Sequence, residues 1–338
     1  MAGLLTIETG FTCNSRCRYC TQLDYRDIPQ ADKLDLSTDE IRDRISFAAQ
    51  NGYDQVGFSG GEPTIRPDFV ALVAFAREHG FKRIGVTTNG RMLAYRSFTE
   101  QAMRAGLDGF TFSLHGADDA VHDRITNSKG ALAQAIAGLG HVAKVREEFG
   151  LEAHLMNNQI ILPDNVDQIR EVVEMLGPHG VRLFMIQPFI TQRSNSDDLG
   201  RFFVPYDAIV ASVERALPAL ERFGARIKPY NVPNCLLWRF GPRYIEPQFY
   251  GIRPFREYEQ NAPGEFGAFK AKQWFRVPQC RDCKEMCPGF RIEQLPQTRM
   301  LDGVRDAAAT FDLGASAIDD RDRASAPRDG ALIFSGTE

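Results

Sequence analysis

The architecture of the chain is already visible in the stretch Gln55-Val56-Gly57-Phe58-Ser59-Gly60-Gly61-Glu62-Pro63. Its first half is a short run with β-branched and aromatic residues, which is typical of a buried strand. Its second half is a glycine pair followed by an acid and a proline, and such residues end a strand in a polar turn. The stretch therefore predicts a strand that brings backbone polar groups and one carboxylate to the edge of a sheet.

The same alternation of short apolar runs and longer helical patterns extends outward, from residue 4 to residue 225. Such alternation is typical of βα units that build a parallel sheet. The predicted strands are 4–11, 55–59, 83–88, 109–114, 152–162 and 181–189, and the predicted helices are 38–51, 67–80, 97–106, 129–149, 165–177 and 205–223. Six units are too few to close an eight-stranded barrel. We therefore predict an α/β fold, a partial (β/α)6 TIM-like barrel with one open side.

Composition and charge argue against several classes of protein. The 338 residues carry 40 Lys and Arg against 44 Asp and Glu, a net charge of -4, which gives no electrostatic basis for binding a nucleic acid or a membrane surface. No apolar run is long enough to span a bilayer, and the first residues lack the pattern of a signal peptide. We expect a cytoplasmic protein with reduced thiols, and neither a nucleic acid nor a membrane as partner.

Four chemically distinctive segments follow predicted strands. Cys13, Cys17 and Cys20 follow the first strand, and the Gly-Gly-Glu-Pro turn follows the second. Thr88-Asn89-Gly90 follows the third strand, and Ser113-Leu114-His115-Gly116 ends the fourth. In parallel βα architectures the carboxyl ends of the strands share one edge, where ligands gather. The four segments are therefore predicted to form one site.

The three cysteines fall within the eight residues Cys13-Asn14-Ser15-Arg16-Cys17-Arg18-Tyr19-Cys20. A disulfide would leave one thiol over, and a zinc site would need a fourth ligand nearby. An iron-sulfur cluster binds thiolates and tolerates one iron without a protein ligand. The spacing therefore favours a cluster site over three incidental cysteines.

This Cys-x3-Cys-x2-Cys loop, with an aromatic residue before its third cysteine and Gly-Gly-Glu-Pro after the second strand, resembles the radical S-adenosylmethionine (SAM) superfamily. The resemblance covers roughly the first 230 residues. It implies that Cys13, Cys17 and Cys20 bind three irons of a 4Fe-4S cluster, and that the amine and carboxylate of SAM chelate the fourth iron. It also implies that one electron cleaves SAM to a 5′-deoxyadenosyl radical, which abstracts a hydrogen atom from a substrate.

The resemblance also implies a set of SAM-binding residues: Gly60, Gly61, Glu62, Pro63, Asn89, Ser113 and Asn157. The glycine backbone would allow close approach of the methionyl amine, while Glu62 would mainly orient its loop. Asn157 and its neighbour Asn158 lie in the fifth predicted strand, the region that contacts adenosine in the superfamily. His115 and His122 are predicted to be hydrogen-bonded loop residues rather than acid-base catalysts.

A second set of cysteines lies beyond residue 230, where the chain becomes rich in Pro, aromatic and basic residues: Cys235, Cys280, Cys283 and Cys287. The arrangement resembles the Twitch type of auxiliary-cluster extension, the shortened relative of the SPASM domain, and implies a second 4Fe-4S cluster. A zinc site with four cysteines is the alternative. With Cys235 as a ligand, the seven cysteines divide into three plus four. An unligated Cys235 could instead act catalytically, by donating a hydrogen atom to a substrate radical.

These patterns divide the chain into three predicted parts. Residues 1–230 would form the radical SAM partial barrel, residues 231–298 a small irregular C-terminal cluster-binding extension, and residues 299–338 a short helix with a flexible tail.

The predicted reaction is hydrogen abstraction from a small molecule of sugar or nucleotide type, with a flavodoxin- or ferredoxin-type protein as reductant. The first strand begins near residue 4, which leaves no room for the leader-binding domain that often precedes the barrel in peptide-modifying enzymes. One alternative is the maturation of a ribosomally made peptide by crosslinking or epimerisation. A B12-dependent methylase would need a cobalamin domain for which there is also no room. A non-catalytic iron-sulfur or zinc protein is the alternative from another class, and it would not need the Gly-Gly-Glu-Pro turn.

Overall fold

The computed structural model describes residues 3–22, 34–189, 199–246, 274–275 and 290–291. In these residues, seven strands form one parallel sheet in sequential order: β1 Gly3–Glu8, β2 Tyr53–Ser59, β3 Arg83–Thr88, β4 Gly109–Phe112, β5 His154–Ile161, β6 Leu183–Pro188 and β7 Arg226–Pro229. A parallel sheet with strands in chain order and crossovers of one hand has all its helices on one face. The predicted partial TIM-like barrel is thus confirmed, with β1 and β7 at its two edges.

Nine α-helices lie in the described residues: α1 Thr38–Gln50, α2 Phe69–Glu78, α3 Arg96–Ala105, α4 Asp119–Thr126, α5 Ala131–Phe149, α6 Ile169–Leu176, α7 Leu199–Phe202, α8 Tyr206–Phe223 and α9 Asn234–Leu237. Local sequence explains several of their ends. The Ser37 hydroxyl accepts a hydrogen bond from the Glu40 amide at 3.2 Å, while the Glu40 carboxylate accepts one from the Ser37 amide at 2.7 Å. This capping box begins α1. Gly106, in the left-handed region at φ 118°, ends α3.

The sequence predicted six of the seven strands to within a few residues of their observed bounds. The seventh, β7, is a four-residue strand that ends in Pro229 and pairs with β6. Its sequence, Arg-Ile-Lys-Pro, holds one apolar residue between two cations, so it lacks the apolar run that marks the equally short β4. The eight-residue helix α4 was also not predicted; Asp118 caps it by accepting a hydrogen bond from the Val121 amide at 2.9 Å.

The two faces of the sheet differ in character. On the outer face, alternate apolar residues of the strands pack against the helices in one core, which includes Leu5, Ile7, Val56, Phe58, Ile84, Val86, Phe110, Phe112, Phe184 and Ile186. Because strand side chains alternate between faces, their neighbours lie on the inner face. Near the carboxyl ends of the strands most of these inner residues are small or polar, whereas Ile160 of β5 is apolar. The small and polar inner residues are Gly57, Ser59, Gly85, Thr87, Thr111, Ser113, Asn158 and Gln187. The inner face near this rim is therefore more polar than the outer face.

The C-terminal part is described only in pieces. The backbone of Cys235 belongs to α9, whereas Cys280, Cys283 and Cys287 lie outside the described residues. Two short strands, β8 Trp274–Phe275 and β9 Phe290–Arg291, form a separate antiparallel pair on either side of those three cysteines in the sequence. Most of the predicted extension and the whole predicted tail lie outside the described residues. None of the described helices combines the length and the apolar character that crossing a membrane requires.

Candidate active site

The loop that follows β1 carries the three cysteines and is attached to the end of α4. The Arg16 amide donates to the carbonyl of Thr126 at 3.2 Å, and the Arg18 amide donates to the carbonyl of Ile125 at 2.9 Å. Within the loop, the Cys20 amide donates to the Cys17 carbonyl at 3.0 Å. The backbone of the loop is therefore fixed by a helix more than 100 residues away in sequence.

On its other side the cysteine loop is held by the segment after β3. The Asn89 side-chain amide donates to Asn14 Oδ1 at 2.7 Å. The Arg91 guanidinium donates to the Asn14 carbonyl oxygen and, through Nε at 2.6 Å, to Gln134 of α5. Arg91 thus connects the cysteine loop to the outer helix layer. Sequence reasoning did not identify Arg91, because nothing in its neighbourhood distinguishes it from an exposed arginine.

The residues Cys13, Cys17 and Cys20 are half-buried, and Tyr19 lies between the last two in the sequence. Burial raises the pKa of Tyr19 well above its ordinary value, and charges on Cys17, Cys20 and Cys13 raise it further. The three predicted ligands thus lie on one loop at the carboxyl end of β1.

The donor set of the cysteine loop suits an iron-sulfur cluster. A zinc ion needs its ligands around one centre, whereas each thiolate of an iron-sulfur cluster binds a separate iron. Three half-buried thiols on one anchored loop therefore suit a cluster with one iron left open.

The Gly-Gly turn after β2 packs directly against the cysteine loop. The Gly61 amide donates to the Gly10 carbonyl at 2.7 Å, and the Glu62 amide donates to the Thr12 carbonyl at 2.8 Å. A Cβ atom on Gly61 would lie 2.1 Å from the Thr12 carbonyl oxygen, so no larger residue fits there without moving backbone. Gly60 has φ +112°, which also favours glycine. The two glycines are needed so that the loops after β1 and β2 can touch.

Glu62 is buried and joins the loop after β2 to the loop after β3. Its Oε1 accepts hydrogen bonds from the hydroxyls of Thr64 at 2.5 Å and Thr88 at 2.7 Å, and its Oε2 accepts one from the Asn89 amide at 2.7 Å. Burial raises the pKa of Glu62, while these hydrogen bonds to the carboxylate oppose the rise. Its contacts agree with the expected loop-orienting role. Pro63 begins a short 3-10 turn and is buried.

The three amide and hydroxyl candidates differ in what they contact. The Asn89 side chain is occupied by the cysteine loop, and its Oδ1 accepts a hydrogen bond from the Arg91 amide at 3.0 Å. The Asn157 side chain faces the helices and forms two hydrogen bonds with the backbone of Leu114, at 3.1 and 3.0 Å. Ser113 is half-buried on the inner face. The structure therefore joins Asn89 to the cysteine site but places the Asn157 side chain outside the barrel.

Two other polar atoms on the inner face are buried without a hydrogen-bond partner among the described residues, namely Asn158 Oδ1 and Thr111 Oγ1. Asn158 follows Asn157 in β5 and therefore lies on the opposite face of the sheet. Buried polar groups are normally paired, so a water molecule or a ligand is the expected partner of these two atoms. The amide pair was visible in the sequence, but only the register of β5 decides which amide points inward.

His115 connects the cysteine loop to β5. Its Nε2 lies 2.5 Å from the Tyr19 hydroxyl, and its Nδ1 accepts a hydrogen bond from the Ile160 amide at 3.2 Å. The His115 amide in turn donates to His122 Nδ1 at 3.1 Å. Burial lowers the pKa of His115 well below its ordinary value and that of His122 to about 4, so both imidazoles are neutral near pH 7. Both histidines are hydrogen-bonded as the sequence predicted, but His122 belongs to α4 and not to a loop.

A cavity of about 500 Å³ lies beside the loops after β1 and β2, on the side of α1. Its cation, Arg66, is fully engaged: it forms a paired contact with Asp68 and donates to the backbone carbonyls of Thr9 and Leu36. In the lining of this cavity, Arg66 therefore stabilises the surrounding backbone and the Asp68 carboxylate.

Several known proteins resemble this chain in sequence or in structure. The model of the radical SAM superfamily matches residues 7–176. The chain is 26% identical over 247 residues to the "Probable GTP 3',8-cyclase" of Thermoplasma volcanium, a match that covers 72% of each protein. It is 30% identical over 238 residues to the "Molybdenum cofactor biosynthesis protein 1" of Bos taurus, which covers 68% of this chain and 36% of that protein. This chain thus spans little more than a third of the bovine relative.

Among solved structures, Streptococcus suis SuiB bound to S-adenosylmethionine superposes with a TM-score of 0.57 at 16% identity, over 85% of this chain and 76% of that chain. Methylornithine synthase (PylB) superposes with a TM-score of 0.51 at 14% identity, over 73% of this chain and 74% of that chain. At these identities the similarity concerns the fold.

Proposed function

Because this chain belongs to the radical SAM superfamily, whose model matches residues 7–176, we propose that it is an enzyme that cleaves SAM reductively and abstracts a hydrogen atom from a small molecule of sugar or nucleotide type. The superfamily uses a 4Fe-4S cluster and SAM, which together supply a 5′-deoxyadenosyl radical when both are bound. The side chains and backbone of this chain would hold and orient these two groups.

One observation carries the proposal. The loop with Cys13, Cys17 and Cys20 is hydrogen-bonded, backbone to backbone, to the Gly-Gly turn of the neighbouring strand, through Gly61 and Gly10 at 2.7 Å. The three thiolates would hold three irons, and the turn beside them would receive the amine of SAM. The contacts of Asn89 and Arg91 with Asn14 attach the cysteine loop to the segment after β3.

The residues on the inner face of the barrel favour a small polar molecule as the substrate. Thr87, Thr111, Ser113 and Asn158 lie there, and the buried atoms Thr111 Oγ1 and Asn158 Oδ1 lack partners among the described residues. Hydroxyl and amide groups suit the hydroxyls of a sugar or the edge of a base. The relative named as a probable GTP 3',8-cyclase, with 72% of each protein matched, also favours a nucleotide over a peptide.

We further propose that residues 231–298 form the auxiliary-cluster extension of Twitch or SPASM type, with Cys235, Cys280, Cys283 and Cys287 as ligands. The β8–β9 pairing supports this, because it brings together the two ends of the segment that contains the last three cysteines. A ligated Cys235 would exclude its alternative role as a hydrogen donor. A cytoplasmic location and a flavodoxin- or ferredoxin-type reductant belong to the same proposal.

The test uses the full chain, reconstituted anaerobically with iron and sulfide, and given SAM and dithionite. We expect 5′-deoxyadenosine and methionine to form. A variant with Cys13, Cys17 and Cys20 all changed to Ala should lose this activity at least 100-fold and lose about half of the bound iron. The proposal would be contradicted if the variant kept all of its iron and the wild-type protein formed no 5′-deoxyadenosine. That result would favour a non-catalytic iron or zinc protein.

The matched control changes Cys280, Cys283 and Cys287 to Ala. It should lose the other half of the iron and still bind SAM. Screening of sugars, nucleotides and short peptides for substrate-dependent transfer of deuterium into 5′-deoxyadenosine then identifies the substrate class. Transfer from a peptide alone would replace the small-molecule assignment with peptide maturation.

A further inference from the structure

Asp35, which precedes α1, contacts the chain just before Cys13. Its Oδ1 accepts hydrogen bonds from two successive backbone amides, that of Phe11 at 2.6 Å and that of Thr12 at 3.1 Å. Thr12 is the neighbour of Cys13 in the sequence. One carboxylate oxygen therefore fixes the direction in which the chain enters the cysteine loop.

Gly10 shows how closely Asp35 approaches this part of the chain. A Cβ atom on Gly10 would lie 2.1 Å from Asp35 Oδ1 and 2.7 Å from Asp35 Cα, so a larger residue would displace the carboxylate. The Gly10 carbonyl also accepts a hydrogen bond from the Gly61 amide at 2.7 Å. The segment before Cys13 is thus held both by Asp35 and by the Gly-Gly turn after β2.

The backbone around Asp35 is itself anchored to the end of β1. The Leu36 amide donates to the Thr9 carbonyl at 3.0 Å, and Arg66 Nη1 donates to the Leu36 carbonyl at 2.8 Å. Ser37, two residues after Asp35, begins α1 with its capping box. The carboxylate therefore projects from a backbone that is fixed on both sides.

The charge of Asp35 lies close to the first predicted ligand. The covalent chain from Thr12 N to Cys13 Sγ spans at most about 8 Å, so Asp35 Oδ1, 3.1 Å from that nitrogen, is within about 11 Å of the sulfur. The Debye length is about 10 Å at 0.1 M salt and about 30 Å at 0.01 M, so in dilute buffer the charge acts on a cluster at this sulfur. Arg66, which lines the same cavity, is paired with Asp68 at 2.8 Å, so Asp68 offsets its charge.

We propose that Asp35 is a positioning residue for the cluster of the cysteine loop: its carboxylate holds the entry of the loop through two amides, and its negative charge lowers the reduction potential of that cluster. Loss of the acceptor should weaken the binding of the cluster. Loss of the charge alone should make the cluster easier to reduce, because a reduced cluster carries one more negative charge. This inference rests on the proposed function, since it requires a cluster at these cysteines.

Two substitutions at Asp35 separate these effects. Asp35→Asn keeps an oxygen that can accept from both amides and removes the charge, whereas Asp35→Ala removes the acceptor as well. The full chain is reconstituted anaerobically and reduced, and the electron paramagnetic resonance signal that changes when SAM is added measures the cluster of the cysteine loop. We expect Asp35→Ala to lower this signal at least about threefold and Asp35→Asn to retain it.

The matched controls change a carboxylate of the same kind at the opposite end of the sheet. Asp108 Oδ1 accepts a hydrogen bond from the Ile84 amide at 3.0 Å, where β3 and β4 begin. Asp108→Ala should lower the stability of the fold without a selective loss of the SAM-responsive signal. Asp108→Asn should leave the reduction potential unchanged, because its charge lies far from the cysteine loop.

A potentiometric titration at low ionic strength measures the effect of the charge. We expect Asp35→Asn to raise the equilibrium constant for reduction about threefold, a shift of about 28 mV to more positive potential for a one-electron couple. A structural role alone would leave the potential of this variant equal to that of the wild type.

The positioning role would be overturned if Asp35→Ala kept the wild-type signal, if Asp35→Asn lost as much signal as Asp35→Ala, or if Asp108→Ala lost as much. The effect of the charge would be overturned by a potential of Asp35→Asn equal to or below that of the wild type. In all these cases a SAM-responsive signal in the wild type leaves the proposed function intact. Absence of any such signal in the reconstituted wild type would contradict the proposed function itself.

Discussion

At the scale of single residues, the rim of the barrel depends on a few buried polar groups. Glu62 receives hydrogen bonds from Thr64, Thr88 and Asn89, and in this way fixes the loops after β2 and β3 relative to each other. His115 and His122 do the same for the segment after β4 and for β5. Because burial disfavours the charged form of a histidine, these two residues should also make the fold sensitive to acid.

We predict that His122→Asn makes the stability less dependent on pH. Burial lowers the pKa of His122 in the folded chain to about 4 from 6.5. Between these values the unfolded state binds more protons, so the contribution is intact above pH 6.5 and is lost as the pH falls towards 4. The wild type should lose roughly 2 kcal/mol more than the variant between about pH 7 and about pH 5.

Urea unfolding of both proteins at several pH values measures this difference. Asn keeps an acceptor for the His115 amide without a titratable ring, so any loss of packing should affect all pH values alike. Parallel pH profiles for the two proteins would show that His122 does not titrate on unfolding.

At the scale of elements, α5 supports the rim from outside. Gly138 of this helix lies against the segment after β3: a Cβ atom there would be 2.8 Å from Leu93 Cβ and 2.9 Å from the Gly90 carbonyl oxygen. A Cβ atom on Gly140, two residues further along the helix, would have no neighbouring atom within 4 Å. One glycine is thus required by packing, and the other is not.

We predict opposite effects for the same substitution at these two positions. Gly138→Ala should destabilise the fold by about 1–3 kcal/mol, because backbone atoms would have to move. Gly140→Ala should stabilise it by about 0.5–1 kcal/mol, because alanine has the higher helix propensity and meets nothing. Chemical denaturation of both variants measures the two values. Equal effects would mean that α5 does not lie against the segment after β3.

At the scale of the whole molecule, the candidate site is assembled from loops that are far apart in sequence. The cysteine loop is held by Asn89 and Arg91 on one side and by residues 125–126 on the other. Its own eight residues contribute little regular structure, so its conformation depends on these distant contacts. The ability to bind a cluster should therefore depend on side chains that touch no iron.

We predict that Arg91→Gln loosens the cysteine loop without unfolding the barrel. The variant loses the guanidinium that bonds both the Asn14 carbonyl and Gln134. Hydrogen exchange followed by mass spectrometry should show faster exchange in residues 9–22 and unchanged exchange in the sheet. The control is Arg96→Gln, which removes an exposed ion pair with Glu148 and should change neither region. Unchanged exchange in the cysteine loop would show that Arg91 does not hold it.

The sequence by itself determined the repeated βα pattern, the edge of the sheet at which the site lies, and the three cysteines with their Gly-Gly-Glu-Pro neighbour. These features are local, because hydrophobic period, turn residues and ligand spacing are all written within a few residues. It missed β7 and α4, because Arg-Ile-Lys-Pro and Asp-Ala-Val-His-Asp-Arg-Ile-Thr contain too few apolar residues to show a hydrophobic pattern.

Only the tertiary structure decided which side chains reach the site. The contacts of Tyr19 with His115 and of Arg91 with Asn14 join residues 96 and 77 positions apart, and no local pattern encodes them. The register of β5 alone separates Asn158, on the inner face, from Asn157, on the helix face. A shift of one residue along a strand exchanges its two faces, so the choice between the two amides is a property of the folded sheet.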